Sequence, residues 1–418
     1  MKDKSFTRNF VPVAQSLQAM RKGMVIKMKI NILTGKFGMG HFTAAMAIKQ
    51  QIDASSLDAD VEIVDWFSYV SPMIAEKYYK FFSLLVRKGN RLYNTRYRFL
   101  ENRKMEQKPE LSHYFGWHFK RFMEEKGPDV IISTLPFCSQ IVSMYKEKTG
   151  SDLPLITCVT DITGHSEWIS KNTDLYLVGS ASVKDKFIRK GVLPEKIHET
   201  GIPVRMEFMK KAISKEKSSD LKTKRILVMG GGLGLIPEDS DFYNGLNSLP
   251  GAEVTLISGN NHKLYHQLSG QYKHIRVLGF VPNVYDYMQK ADVVITKPGG
   301  ITTFEAIYSE VPILALNPFL QQEIYNAQYI KEMNIGAIVS GNSRACLNHI
   351  TKILDCEHLD NYRYSIRRVK HDLYQNSMIH ILEEVINDRK HTKGMDAFSK
   401  YNQMKEDSVI DEKISFNF

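Results

Sequence analysis

Residues 293–305 read VVITKPGGITTFE. A short apolar run enters the turn Lys297-Pro298-Gly299-Gly300, and Thr302 and Thr303 then open a helix. Strand, glycine turn and helix in that order form the repeating unit of a parallel sheet covered by helices. The same order recurs outward from it. Ile313–Leu316 lies on one side, and Ile275–Leu278, Glu253–Ser258 and Arg225–Met229 lie on the other, the last leading into Gly230-Gly231-Gly232. Upstream stands a second series: Leu175–Val178, Leu155–Thr160, Val130–Ser133, Val61–Val64 and Lys29–Thr34, the last followed by a Gly-containing loop and a helix over Thr43–Ile52. Gly201-Ile202-Pro203-Val204 and the polar stretch Ser214–Lys224 separate the series and read as the end of one domain and a linker.

The expected fold class is therefore α/β, with two Rossmann-like doubly wound domains. The expected boundaries are a tail at 1–27, a first domain at 28–204, a second at 222–375, a C-terminal helix at 376–395 that crosses back to the first domain, and a tail at 396–418. Ligands of such sheets sit at the carboxyl ends of the strands, so a cleft between the domains is the expected site.

Composition narrows the class. A chain of 418 residues with 43% hydrophobic and 24% charged residues is globular, neither disordered nor collagen-like, and is too long for one core. It has no run of about 18 apolar residues, and its start lacks the apolar stretch of a signal peptide. The four cysteines, Cys138, Cys158, Cys346 and Cys356, have no metal-type spacing and read as reduced thiols of a cytosolic protein. Residues 1–27 carry six Lys or Arg and one acid, and residues 66–126 carry thirteen and six; these two segments hold +12 against a chain total of +10. A basic excess so confined points to a localised anionic partner, nucleic acid or anionic lipid.

Four constellations could carry chemistry. Gly35–His41 (GKFGMGH) follows the first strand, with Gly38 and Gly40 allowing close approach of a ligand and His41 at the helix start as a candidate base. It is neither a dinucleotide fingerprint nor a P-loop. Lys297–Glu305 offers free helix N–H groups to a diphosphate, and Glu305 offers a carboxylate to two ribose hydroxyls. Gln321, Gln322 and Glu323, after the strand Ile313–Leu316, supply the amides and carboxylate that bridge sugar hydroxyls. Asp161 and His165, in VTDITGHSEW, are suited either to holding an acceptor hydroxyl or to bracing a loop.

GMGHFTAA, VTDITGH, GIPV, GGGLG, KPGGITTFEA and PFLQQEIYNAQ occur in the order seen in glycosyltransferase family 28, and roughly residues 28–385 share the resemblance. The branch most similar is that of the monogalactosyldiacylglycerol synthases and processive diacylglycerol glucosyltransferases. The resemblance implies GT-B architecture, two facing domains with a cleft, and inverting transfer from a UDP-sugar with no metal or other cofactor. It places Gly230, Gly231, Gly299, Gly300, Thr302 and Thr303 in the donor site, Glu305 on the ribose, the backbone at Phe280 and Val281 on the uracil, and Gln322 and Glu323 on the hexose. His41 becomes the candidate base, with Asp161 and His165 as further catalytic candidates. The sister branch that adds N-acetylglucosamine to a lipid-linked cell-wall precursor usually shows two adjacent glycines before the histidine, where this chain has GMGH.

Residues 74–93 read IAEKYYKFFSLLVRKGNRLY. Wound at roughly 100° per residue, Lys77, Lys80, Arg87, Lys88 and Arg91 share one arc, and Ile74, Tyr78, Phe81, Phe82, Leu85 and Leu92 share the next, with Gly89-Asn90 interrupting the last turn. That is the pattern of a helix lying in an anionic membrane interface. No nucleic-acid module accompanies it, so nucleic acid is not an expected partner. The expected activity is transfer of glucose or galactose from a UDP-sugar to 1,2-diacylglycerol at the cytoplasmic face of the membrane. The competing readings are a UDP-GlcNAc transferase and a UDP-sugar-binding regulator without turnover. Sequence leaves open the choice of hexose, the number of sugars added and the start among Met1, Met24 and Met28.

Overall fold

The computed structural model of the chain describes residues 27–392 apart from 38, 89, 102–110, 211–222, 232–233, 235, 238, 340, 355, 376 and 391, with backbone alone at 83, 85–88, 90–93, 96 and 356. The N-terminal tail to residue 26, most of the linker, the C-terminal tail and Gly38 thus lie outside the described residues, as do the side chains of Arg87, Lys88 and Arg91.

Twelve strands form two parallel sheets. β1 (Met28–Thr34), β2 (Ala59–Asp65), β3 (Val130–Ser133), β4 (Leu155–Cys158), β5 (Leu175–Val178) and β6 (Ile197–Glu199) are ordered β2-β1-β3-β4-β5-β6. β7 (Lys224–Met229), β8 (Ala252–Ile257), β9 (Ile275–Leu278), β10 (Val293–Thr296), β11 (Ile313–Leu316) and β12 (Gly336–Val339) are ordered β12-β11-β10-β7-β8-β9. The central strands β3, β4, β10 and β11 are buried at all four positions, which is why they read as continuous apolar runs. Of the four edge strands, β6 and β12 carry IHE and GAIV and gave no such signal. β4 stops at Cys158, so Val159 and Thr160, read as strand from sequence, belong to the loop after it.

The helices that shape the site are α1 (Gly40–Asp53), α2 (Pro72–Lys88), α3 (Asn90–Glu101), α4 (Ser112–Lys126), α5 (Gly300–Tyr308), α6 (Gln321–Glu332), α7 (Cys356–Gln375) and α8 (378–390). The helix read over 74–93, with its last turn interrupted at Gly89-Asn90, is two helices: α2 ends at Lys88 and α3 begins at Asn90. α7 packs on the second domain through Ile366, Val369 and Leu373. α8 packs on the first, with Met378, Leu382 and Ile386 against Met28, Ile30, Val130 and Ile156, and Arg389 Nη2 donates to Asp152 Oδ1 at 3.1 Å.

The domains meet through one apolar cluster that joins Val159, Ile162, Val178 and Ile202 to Ile301 and Phe304 of α5. Two glycines permit that approach. A Cβ on Gly300 would lie 2.5 Å from the carbonyl oxygen of Thr160. Gly201 has φ +76°, and a Cβ there would meet the Phe304 ring at 2.9 Å.

Candidate active site

Both glycine loops emerge where neighbouring strands send the chain in opposite directions, β1 beside β3 and β7 beside β10. These switch points are where doubly wound sheets open a crevice. In the first sheet Met39, in the left-handed region at φ 68°, turns the chain into α1 and places His41 in the first turn. Thr134, just after β3, fixes the backbone there: its hydroxyl donates to the His41 carbonyl at 3.0 Å.

The His41 ring is half-buried, with Nδ1 2.8 Å from the Thr160 hydroxyl and Trp168 6.0 Å away between ring centres. Burial pushes its pKa down to about 4, against a smaller upward effect from the backbone at Thr134. The imidazole is therefore neutral at pH 7. In the tautomer that donates Nδ1–H to the Thr160 hydroxyl, Nε2 presents a lone pair, as a general base requires. The Thr160 carbonyl in turn faces Gly300, so one residue separates the base candidate from the start of α5.

Asp161 is half-buried, and burial pushes its carboxyl up to about 6 while a hydrogen bond from Trp168 acts the other way. His165 corrects the sequence reading. It is 1% exposed, its Nε2 donates to the Tyr97 carbonyl at 2.9 Å, and its Nδ1 accepts from the Glu167 N–H at 3.3 Å. Both nitrogens are engaged with backbone, so His165 braces a loop and has no lone pair for catalysis.

In the second sheet, α5 begins at Gly300 with Gly299 as N-cap. The N–H groups of Gly300, Ile301 and Thr302 have no acceptor within the helix, which leaves a donor cluster at the positive end of the helix dipole. Thr303 is a second correction: its hydroxyl donates to the Gly299 carbonyl at 2.9 Å and is not offered to a ligand. Thr302, half-buried beside it, makes no such bond. A Cβ on Gly231 would lie 3.4 Å from Lys297 Cε, so Gly231, just after β7, borders the same pocket.

Glu305 stands in the second turn of α5, because the helix opens at Gly300 and not at Thr302 as the sequence suggests. It is 5% exposed, and burial pushes its carboxyl up to about 7, with Arg205 opposing in part. Arg205, unassigned from sequence although it directly follows GIPV, donates from Nη1 to the Pro282 carbonyl at 2.9 Å and lies over the rings of Phe208 and Tyr285. It thereby fastens the loop carrying Phe280, which is exposed, and Val281, which is half-buried.

Glu323 also has work the sequence did not assign. It is buried; Oε1 lies 3.1 Å from Lys297 Nζ, and Oε2 accepts from the backbone of Phe319 and Leu320 at 3.5 and 3.4 Å. The carboxylate thus caps α6 and anchors an ammonium beside α5. Asn326 links the domains: Oδ1 accepts from Ile162 N at 3.1 Å and Nδ2 donates to the Pro298 carbonyl at 2.9 Å. Among the described residues, no group of three or more His, Cys, Asp and Glu side chains is placed to hold a metal ion.

The α2 face is apolar and exposed at Met73, Ile74, Tyr78, Phe81 and Leu84, with Lys77 and Lys80 exposed among them. Phe82 is a third correction. It lies about 100° around the helix from Phe81, half-buried, with its ring 5.1 Å from that of Phe37. Exposed Tyr114 and Trp117 of α4 extend the apolar surface, which the sequence reading missed; Phe67 touches both Tyr78 and Phe115 and so joins the two helices. Among the described residues no helix is long and apolar enough to cross a membrane.

Residues 41–204 match the family described as monogalactosyldiacylglycerol (MGDG) synthase, and residues 251–369 match glycosyl transferases group 1. A processive diacylglycerol beta-glucosyltransferase of Bacillus cereus is 30% identical over 333 residues, spanning 77% of this chain and 84% of that protein. Among solved structures, a kitacinnamycin glycotransferase aligns with TM-score 0.57 and 13% identity over 87% of this chain and all of that one. MurG of Acinetobacter baumannii aligns with TM-score 0.55 and 13% identity over 84% and 99%. At such identity these two likenesses speak to fold alone, and the fold is the two-domain GT-B architecture of glycosyltransferases. With that architecture, the motif order and a 30% identical relative matched over most of its length, the chain belongs to the family of diacylglycerol glycosyltransferases that includes the processive diacylglycerol beta-glucosyltransferases.

Proposed function

We propose that the protein moves a hexose from a UDP-hexose to the free hydroxyl of 1,2-diacylglycerol, with inversion at the anomeric carbon, while resting on an anionic membrane surface at the cytoplasmic face. The observation that carries the reading is the meeting of a neutral imidazole and an unsatisfied helix N-terminus on either side of Thr160.

In this reading Nε2 of His41 takes the proton of the acceptor hydroxyl as its oxygen bonds to the anomeric carbon. The bond from that carbon to the diphosphate oxygen breaks on the opposite face, and UDP leaves with the electron pair. The N–H groups of Gly300, Ile301 and Thr302 and the ammonium of Lys297 offset the charge that develops there. No step of the reaction so written calls for a metal. Glu305 receives the ribose hydroxyls, the backbone at Phe280 and Val281 the uracil, and Gln322 the hexose, with Glu323 reaching the sugar only beside its own bonds to Lys297 and the α6 start. Asp161, bonded to Trp168 next to His41, orients that wall of the acceptor pocket. Lys77, Lys80 and Phe81 face the bilayer, and the exposed rings of α4 add apolar area at the same surface.

The test is incubation of labelled UDP-glucose or UDP-galactose with vesicles holding either diacylglycerol or a polyprenyl-linked acceptor. Glycolipid from diacylglycerol alone supports the proposal. Product only from the polyprenyl acceptor, or donor binding with no product, overturns it.

A further inference from the structure

We infer that Asn94 and Arg98, contributed by the first domain, are positioning residues for the sugar end of the donor site. The inference rests on the reading above that Gln322 faces the hexose. α3 directly follows the membrane-facing α2, yet three of its side chains reach the second domain. Asn94 Nδ2 donates to the Phe319 carbonyl at 2.8 Å, and Asn94 Oδ1 accepts from Gln321 N at 2.9 Å. Arg98 Nε donates to Gln321 Oε1 at 2.8 Å. Tyr325 OH lies 2.9 Å from both carboxylate oxygens of Glu101.

The start of α6 explains why these bonds matter. Its N-cap residue is Leu320, which has no polar side chain to receive the first helical N–H. Glu323 serves the N–H groups of Phe319 and Leu320 from within the helix. The next one, of Gln321, is served by Asn94 across the cleft. Gln322 is thus held between a cap made by its own helix and a cap made by the other domain. The nucleotide end takes no bond from α3: Phe280, Val281 and Glu305 are set by β9 and α5, and by Arg205, which reaches the Pro282 carbonyl from the end of the first domain. The sugar end therefore depends on α3, whereas the UDP end depends on β9, α5 and Arg205, so a change in α3 separates the two.

The experiment compares Asn94→Ala, Asn94→Asp and Arg98→Ala with the wild type. UDP affinity is measured by calorimetry without lipid, and kcat and KM for UDP-hexose with one fixed diacylglycerol vesicle. Each lost hydrogen bond is worth about two- to ten-fold. Asn94→Ala is expected to lower kcat/KM for UDP-hexose about five- to thirty-fold, and Arg98→Ala about three- to ten-fold. Asn94→Asp, which keeps the acceptor for Gln321 N, falls between wild type and Asn94→Ala. UDP affinity stays within about two-fold throughout, which also shows that the variants are folded. Equal losses for UDP and UDP-hexose, or no loss for either, overturns the inference. Binding of UDP-hexose without lipid, measured in the same series, keeps the clamp testable even where diacylglycerol proves to be the wrong acceptor.

Discussion

Replacing Glu305 by Gln should stabilise the protein above pH 7 while weakening the proposed ribose contact. The carboxyl is 5% exposed, and burial lifts its pKa from 4.5 to about 7. At about 1.4 kcal/mol per unit, that rise means the ionised side chain costs the folded state roughly 3 kcal/mol. Below pH 4.5 the residue is protonated in both folded and unfolded chains, and glutamine should match it closely. Between 4.5 and about 7 the folded protein keeps a proton that the unfolded chain has lost, so stability falls as pH rises; above about 7 the loss is complete. The assay is thermal unfolding of wild type and Glu305→Gln from pH 4.5 to 8.5. Because the two proteins are compared at each pH, the titrations of His41 and Asp161 cancel. The expected gain is near zero at pH 4.5 and up to roughly 6–12 °C at pH 8 for a domain of this size. A gain that is the same at every pH, or a loss at pH 8, would refute the view of Glu305 as a carboxylate buried at the expense of stability. In Glu305→Ala, which removes both acceptors, affinity for UDP-hexose should fall roughly 10- to 150-fold, the loss expected for a charge-assisted pair of hydroxyl bonds.

His41→Ala should keep donor affinity and lose about 10²–10⁴-fold in kcat. Because burial holds the His41 pKa down to about 4, the acid limb of kcat in Asp161→Asn should fall near pH 4, and a limb near pH 6.5 in that variant would show an exposed imidazole. Gly300→Ala places a Cβ 2.5 Å from the Thr160 carbonyl, which is backbone and cannot give way; kcat should drop at least about tenfold, and an unchanged rate would show that the domains do not close this tightly during turnover. Reversing Lys77 and Lys80 to Glu should abolish the salt-sensitive part of vesicle binding, since each cation near an anionic surface is worth about 1 kcal/mol. Phe81→Ser should weaken binding independently of salt, and co-sedimentation across a salt series that shows neither effect would assign α2 to a role other than lipid contact.

The sequence made the α/β class legible because the central strands are buried on both faces and read as unbroken apolar runs. Of the four edge strands, Ile197–Glu199 and Gly336–Val339 were not legible, since a three-residue run with two polar residues and a four-residue run opening on glycine are too short to separate from loop. Motifs whose geometry is local, such as KPGGITTFE, carried their position at the end of β10 in the residues themselves. What depended on winding by a single residue did not: Thr303 folds its hydroxyl back onto Gly299 while Thr302 does not, and Phe82 turns inward while Phe81 faces out. His41 and His165 each stand near a glycine in sequence, and only the placement of Tyr97 and Glu167 around the second makes it a brace. Thr160, Arg205, Asn94 and Arg98 acquire their roles from the approach of the two domains, which no local pattern encodes.

The most direct measurement is the fate of labelled hexose in wild-type protein supplied with UDP-hexose, anionic vesicles and 1,2-diacylglycerol, with the linkage of the extracted lipid read by magnetic resonance. Label is expected in a β-linked hexosyl-diacylglycerol, formed from an α-linked donor and absent when His41 is Ala. An α-linked product, or label that moves only into a polyprenyl-linked acceptor, would contradict it.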